Sequence, residues 1–446
     1  MTSFRRLLPS REVWKLPALK KHPLSDRLFT PIVVLWYLLF QRLGCDHTLE
    51  KVVSDAHAGG ADSLRRGLSK QLRSTATASY SDARQRLPLS LLIQSLTLQA
   101  QKFLCLHPNP RWQGLRVCLL DGSTIRLRPQ GNIAQRFPAH RNQTKGPAYW
   151  CLMRVVVGFC VRTGAALDCA CASVHRSEQM LACRMILRRA VGVCLYVGDR
   201  NFGIFRIVQT ARAVGSQVLV RLTVGRAGKL LGRSLRPGCH PVVWSPTRFD
   251  QLQPGCGKDP VAGRLVVVQI RRKGFRAQTL FLFTTLIDDA QYPVDQLVEL
   301  YGLRWHIELN LRYLKAQMRL VQLECKSAEM AQKEWLAGLM AYNVIRAAML
   351  CAALHKGICP LALSFSLSRR HLESWLARLG SSGACGKRWG KLLRLIGQAQ
   401  LPQRRKPRPP EPRAQRHLRQ PYPPLIGSRQ KARQQLNRTK KSPKKS

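Results

Sequence analysis

Arg116-Val117-Cys118-Leu119-Leu120-Asp121-Gly122-Ser123 is a short apolar run that stops at an acid. A continuous run of this length marks a buried strand, and an acid at its end is where a side chain can leave the core to meet a site. The same pattern returns at Val193-Cys194-Leu195-Tyr196-Val197-Gly198-Asp199. Residues suited to a turn follow each acid, as Gly122-Ser123 and Arg200-Asn201. Taken singly, either acid reads equally well as a turn residue or a helix cap. Asp and Glu together number 23 against 74 Lys and Arg, so acids that interrupt apolar strands in this chain are conspicuous.

The segments around these two strands supply an order. Cys151 to Val161 and Ala165 to Ala172 are rich in Val, Cys and Ala and are joined by Arg162-Thr163-Gly164, which predicts a hairpin. Ser177 then opens a helix to about Val191, with Glu178 favourably placed in its first turn. After the strand ending at Asp199, a helix near Phe202 to Val214 leads to a strand from Gln217 to Leu222. Three strands, helix, strand, helix, strand is the order of the ribonuclease H-like fold, an α/β architecture with a mixed sheet whose first and fourth strands lie side by side. Sites in open sheets gather at strand ends. Asp121 and Asp199 would there be able to share hard divalent cations, which prefer oxygen ligands.

A third acid is expected from a helix. Pro293 starts a long helical pattern running to about Met318, and Tyr301, Arg304, Glu308 and Lys315 fall within an arc of about 60° on it. Leu300, Leu303, Ile307, Leu311, Leu314 and Met318 occupy a neighbouring face, which would hold that polar stripe against a sheet without burying it. A second apolar helix, near Met330 to Leu354, packs behind it.

The chain divides accordingly. Residues 1–112 read as a helical N-terminal DNA-binding region, although the helix around Ser79-Tyr80-Ser81-Asp82-Ala83-Arg84 reads equally as a solvated surface. Residues 113–222 form the first part of the core, 223–278 a β-rich insertion where the helical signal disappears, and 279–355 the second part. A helical region over 356–400 and a disordered basic tail over 401–446 complete it.

The formal net charge of +51 points to a polyanion as partner. Nucleic acid is the first candidate; membrane surface and ribosomal RNA are the alternatives, since counterion release rewards any phosphate-rich surface. The 15 cysteines sit in apolar runs and read as small buried hydrophobes of a reducing cytoplasm, with no zinc spacing. Phe29 to Phe40 is too short to span a bilayer and starts too late for a signal peptide, so a soluble cytoplasmic protein without a membrane partner is expected.

Tyr301, Arg304, Glu308 and Lys315, at these gaps, resemble the signature of IS4-class transposases. Asp121-Gly122-Ser123 and Asp199-Arg200-Asn201-Phe202 resemble the motifs around that family's first and second acids, and the likeness runs from about Ser79 to Arg346. The resemblance implies a DNA transposase that cuts insertion-sequence ends and joins them to target DNA. It further implies Asp121, Asp199 and Glu308 as catalytic metal ligands for two Mg²⁺ ions, with Mn²⁺ able to substitute, and a homodimer on DNA in the bacterial cytoplasm at the nucleoid. Tyr301, Arg304 and Lys315 would hold the DNA. Trp244, in the insertion, is a weaker candidate for stacking on a flipped base, a packed structural tryptophan being the alternative.

Overall fold

A computed structural model describes residues 7–20, 28–44, 46–142, 146–232, 235–253, 255–270, 278–377, 385–402, 428, 430 and 433–434. The apolar run at 117–120 does form a strand, β1 (Val117–Leu127), and its alternation feeds two cores. Val117 and Leu119 enter one hydrophobic cluster, while Cys118 and Leu120 enter another on the opposite face. Contrary to expectation, β1 does not stop at Asp121: it runs on to Leu127, paired antiparallel with β3 (Gly146–Cys160) through Leu127 opposite Cys151. What stops there is its other neighbour, β5 (Leu195–Gly198), which pairs parallel with Val117 to Leu120 only.

Around this pair the sheet has ten strands. With β2 (Ala139–Asn142), β4 (Ala166–Ser173), β6 (Gln217–Arg221), β7 (Gly238–Trp244), β8 (Val261–Ile270), β9 (Gln278–Thr284) and β10 (Gln322–Leu323), the order is β2-β3-β1-β5-β6-β9-β8-β7, with β4 on β3 and β10 on β1. β1, β5 and β6 run parallel and β3 and β4 antiparallel to their neighbours, so the strands from β4 to β6 follow the expected core order in a mixed sheet.

The segment 223–278 departs from expectation. It contains a helix, Val224–Leu231, capped by the Thr223 side chain accepting from the Arg226 amide, and its strands β7 and β8 are not a separate β unit. β9 pairs with β6 on one side and β8 on the other, so the segment prolongs the main sheet. Two glycines, Gly225 and Gly228, dilute the helical pattern there and explain why it was illegible.

Numbered in chain order, the helices that position the site are α1 (Pro31–Leu43), α2 (Ala78–Arg86), α3 (Leu89–Leu106), α4 (Glu178–Arg188), α5 (Phe205–Ala213), α6 (Val224–Leu231), α7 (Val294–Gly302), α8 (Trp305–Arg312), α9 (Ala328–Lys356), α10 (Phe365–Ala377) and α11 (Cys385–Gln398). The 29-residue α9 starts at a Ser327 cap and ends at Gly357 in the left-handed conformation. Its length and composition would suffice to cross a membrane, but 94% of that apolar window is buried inside the protein, as the spine of the core.

The N-terminal helices are fastened to this spine and share its hydrophobic cluster, so they form a layer of the core and not a small separate domain. Glu334 on α9 is ion-paired with Arg42 of α1 and, at 2.7 Å, with Arg84 of α2. The buried Lys333 ammonium donates to the carbonyls of Gln85 at 2.8 Å and Arg84 at 3.3 Å, closing the C-terminal end of α2. Arg84 therefore faces inward, not toward phosphate, and Tyr80 is fully buried with its hydroxyl donating to Gln41 at 3.0 Å. The described cysteines are free, and most are buried or half-buried. At the far end the Leu401 amide donates to the Ala362 carbonyl at 2.8 Å; the tail expected over 401–446 otherwise falls almost wholly outside the described residues.

Burial pushes the Glu334 carboxyl up, but Arg42 and Arg84 more than offset it and hold it below its ordinary value. A carboxylate depressed in the folded state contributes stability above the ordinary carboxylate range and loses it as pH falls through the folded pKa. Glu334→Gln leaves two buried guanidinium groups without their anion, and is expected to cost about 3–5 kcal/mol at pH 7. Denaturant melts should show that difference from the wild type shrinking as pH drops below the ordinary 4.5 of a glutamate.

Candidate active site

Leu120 pairs with Gly198 at the last step of the β1–β5 ladder, so Asp121 and Asp199 emerge together one residue beyond it. Gly198 is required by space: a Cβ there would lie 2.8 Å from the Cβ of Phe202, which is fully buried. The chain turns at once. The Asp199 carboxylate accepts from the Asn201 amide at 2.8 Å, and the Asp199 carbonyl accepts from Phe202 at 3.0 Å. Asp121 is half-buried and accepts from the Gly122 amide at 2.8 Å. Burial pushes its carboxyl up to about 6; the Gly122 amide opposes this, Asp199 adds to it, Arg304 opposes it and Glu178 adds to it. Two acids and one guanidinium thus act on the same carboxylate.

The expected continuous helix from Pro293 is broken. α7 ends at Gly302, and the next turn is tight, with Arg304 donating to the Tyr301 carbonyl at 3.0 Å and Ile307 to that of Arg304 at 2.9 Å. α8 follows, and Tyr313–Gln317 is a single π turn. A three-residue hydrogen-bond step overwinds the chain and a five-residue step underwinds it, so one angular period does not describe the stripe. Leu303 shows the effect, being 37% exposed instead of buried with Leu300, Ile307, Leu311, Leu314 and Met318.

Even so, most of the stripe converges on the aspartates. Tyr301 is buried, and burial raises its hydroxyl pKa, while Arg304 and Arg221 oppose and Asp199 adds to the rise. Lys315, in the π turn, is lowered by burial, raised by Asp121 and lowered by Arg126. Glu308 is the exception: its side chain is 44% exposed and takes an ion pair from Arg304 at 3.1 Å. Among the described residues no group of three or more His, Cys, Asp or Glu side chains is gathered as a metal site.

Helix α8 is anchored by a residue that sequence reasoning missed. Arg346 of α9 is buried, donates to the Asn310 side chain at 2.6 Å and to the Tyr342 hydroxyl at 2.8 Å, and lies 5.2 to 5.5 Å from the ring centres of Tyr313, Tyr342 and Phe365. An arginine inside an otherwise apolar helix was the available signal. Two others were missed: Glu178, on α4, and Asn201, which donates to it at 2.7 Å. Glu178 had been accounted for as a favourable first-turn acid. Trp244 needs correction in the other direction, since it is 7% exposed and packed edge-on against Phe205 and Phe283. Its ring has no free face for a base.

The match to known proteins covers this assembly. Residues 112–344, more than half of the chain, fit the model of the transposase DDE domain. The chain belongs to the DDE-domain transposase family. A relative of the IS4 class, the transposase InsG for insertion sequence element IS4 from Escherichia coli (strain K12), is 28% identical over 333 residues, 72% of this chain and 73% of its own. A solved structure, the piggyBac transposase synaptic complex with hairpin DNA, aligns over 89% of this chain and 84% of its own at 11% identity and a TM-score of 0.42. Asp121, Asp199, Tyr301, Arg304, Glu308 and Lys315 all lie within the transposase domain match.

Gly198→Ala should destabilise this IS4-class chain by about 1–3 kcal/mol, the usual cost of overpacking. Because the crowded atom is the Phe202 Cβ, adding Phe202→Ala should bring no recovery. A thermal melt of the double variant that returned to the Phe202→Ala value would show that the turn relaxes around the new methyl group.

Proposed function

We propose that this transposase-family chain cuts insertion-sequence ends and joins them to target DNA by metal-dependent phosphoryl transfer, with Asp121, Asp199 and Glu308 as its acids. The observation that carries the reading is the emergence of Asp121 and Asp199 from adjacent parallel strands, within the field of Arg304 and Lys315. The donor set suits a hard divalent cation: every donor is a carboxylate oxygen, and the like charges that push Asp121 up are what a cation would relieve. Two Mg²⁺ ions, with Mn²⁺ as a substitute, are the cofactors proposed. When bound, they supply Lewis-acid stabilisation and a more acidic attacking water or 3′-hydroxyl.

The protein's own part is to hold and align. Asp121 and Asp199 sit on strands whose ends are fixed by the ladder, whereas Glu308 sits on α8 and would join them by giving up its contact with Arg304. Once released, the Arg304 guanidinium can grip two phosphate oxygens, and Lys315 adds a point charge beside Asp121. Tyr301, packed next to Arg304, limits where that guanidinium can swing and helps to seat the terminal strand. The charge of +51 fits an elongated phosphate partner, and we assign the protein to the bacterial cytoplasm, acting at the nucleoid as a homodimer on DNA.

Asp121→Asn, Asp199→Asn and Glu308→Gln are each expected to abolish end cleavage while leaving DNA binding nearly intact, and a double variant should be no worse than a single one. Near wild-type cleavage by any of the three would remove that residue from the triad.

Lys315→Ala should melt like the wild type yet lose cleavage and strand transfer in gel assays of labelled ends. Retained cleavage would sink the DNA-holding role.

Truncation after Leu401 should weaken DNA binding and flatten its dependence on log salt, because fewer phosphates are neutralised. An unchanged salt slope would show that the tail does not touch DNA.

A further inference from the structure

Glu178 opens α4, but it does not cap that helix. The cap is Ser177, whose side chain accepts from the Met180 amide at 3.2 Å. The Glu178 side chain crosses instead to β1. A Cβ built on Gly122 would lie 2.2 Å from the Glu178 carboxyl carbon and 2.5 and 2.6 Å from its two oxygens. The carboxylate therefore rests against the backbone of the residue after Asp121, in a space that only glycine leaves open. Gly122 has no positive φ, so room for this carboxylate and not backbone conformation is the reason for glycine there.

A single residue ties this carboxylate to Asp199. Asn201 donates through its side-chain amide to Glu178 at 2.7 Å and through its backbone amide to Asp199 at 2.8 Å. Gln179 donates to the Asn201 side-chain oxygen at 2.6 Å and to its carbonyl at 3.1 Å, which fixes the amide with its nitrogen toward Glu178. Strand alternation sets Asp121 and Gly122 on opposite faces of β1. Since β5 ends at Gly198, the edge of β1 beside Asp121 and Gly122 is open to the turn at 199–201, where the two faces meet.

We propose that Glu178 is a further acid of the active site, held by Asn201 over Gly122 so that its carboxylate joins Asp121 and Asp199 in binding the divalent cation. This rests on the transposase reading above. The role explains three otherwise unrelated choices: a glycine after the first acid, an asparagine after the second, and a helix that begins with glutamate beyond its own serine cap.

The test is Mn²⁺ binding to the full metal-free chain, measured by calorimetry and by loss of the free-ion electron paramagnetic resonance signal. Glu178→Gln is expected to weaken Mn²⁺ binding by about 10-fold or more, the scale seen when a partner of a metal site is lost. Gly122→Ala keeps the acid but displaces it, and should weaken binding similarly. Melting temperatures identify a variant that fails to fold, in which case the other decides. Wild-type affinity in a folded Glu178→Gln or Gly122→Ala variant overturns the proposal while leaving the transposase reading in place. Wild-type affinity in Asp121→Asn, or no Mn²⁺ binding by the wild type, overturns the metal reading and the proposal with it.

Discussion

Parallel pairing of β1 with β5 closes at Leu120 and Gly198, and the positions of both aspartates follow from that register. The two strands are buried on both faces at this point, β5 completely so, and a one-residue slip would send each core side chain to the wrong face. Two hydrophobic clusters resist such a slip, because Val117 and Leu119 fill one while Cys118 and Leu120 fill the other. Hydrophobic packing thus places two charges side by side in a position where their mutual repulsion raises the Asp121 pKa. An arrangement that costs folding energy and is retained at a strand end is what a site requires.

The second constraint is α9, whose apolar composition hides an unusual set of ionisable residues. Lys333, Glu334 and Arg346 are all buried within it, and each has a defined partner: helix-end carbonyls of α2, the guanidinium groups of Arg42 and Arg84, and the Asn310–Tyr342 pair. Buried charges of this kind contribute less to net stability than to position. Lys333 and Glu334 align the N-terminal helices, and Arg346 holds α8 and the π turn that carry Glu308 and Lys315. The spine of the fold and the site are therefore mechanically connected.

Much of this was legible in the sequence. Apolar runs ending in acids mark the two strands, and the hairpin and helices between them establish the core order, because burial on two faces leaves a continuous hydrophobic signature. Other features were not legible, for identifiable reasons. Beyond Asp121, β1 continues through Gly122, Ser123 and Thr124, whose polar character suggests a turn while their pairing with Val156, Val155 and Arg154 makes a strand. β7 and β8 look like an independent unit until β9 is seen to accept a neighbour on each side. Leu303 follows the helical period in sequence but lies where the backbone overwinds after Gly302. Trp244 could not be distinguished from a base-stacking residue until Phe205 and Phe283 were found against it. Glu178 was hidden by a sufficient local explanation, as a first-turn acid opposing a helix dipole.

The contact between Arg304 and Glu308 bears on how the third acid can serve a site from which its carboxylate is turned away. Their bond is 3.1 Å long, and the glutamate is nearly half exposed, so solvent competes for both partners. An exposed pair one helical turn apart is worth about 0.3–0.5 kcal/mol. Arg304 also feels Asp199 and Tyr301, and so remains anchored when Glu308 leaves. A phosphate offers the guanidinium a bidentate partner with more charge than a carboxylate, so DNA arriving at Arg304 would free Glu308 at small cost. Assembly of the acids would then depend on substrate, and the same arginine that shields Glu308 in the free protein would be the group that reports DNA to it.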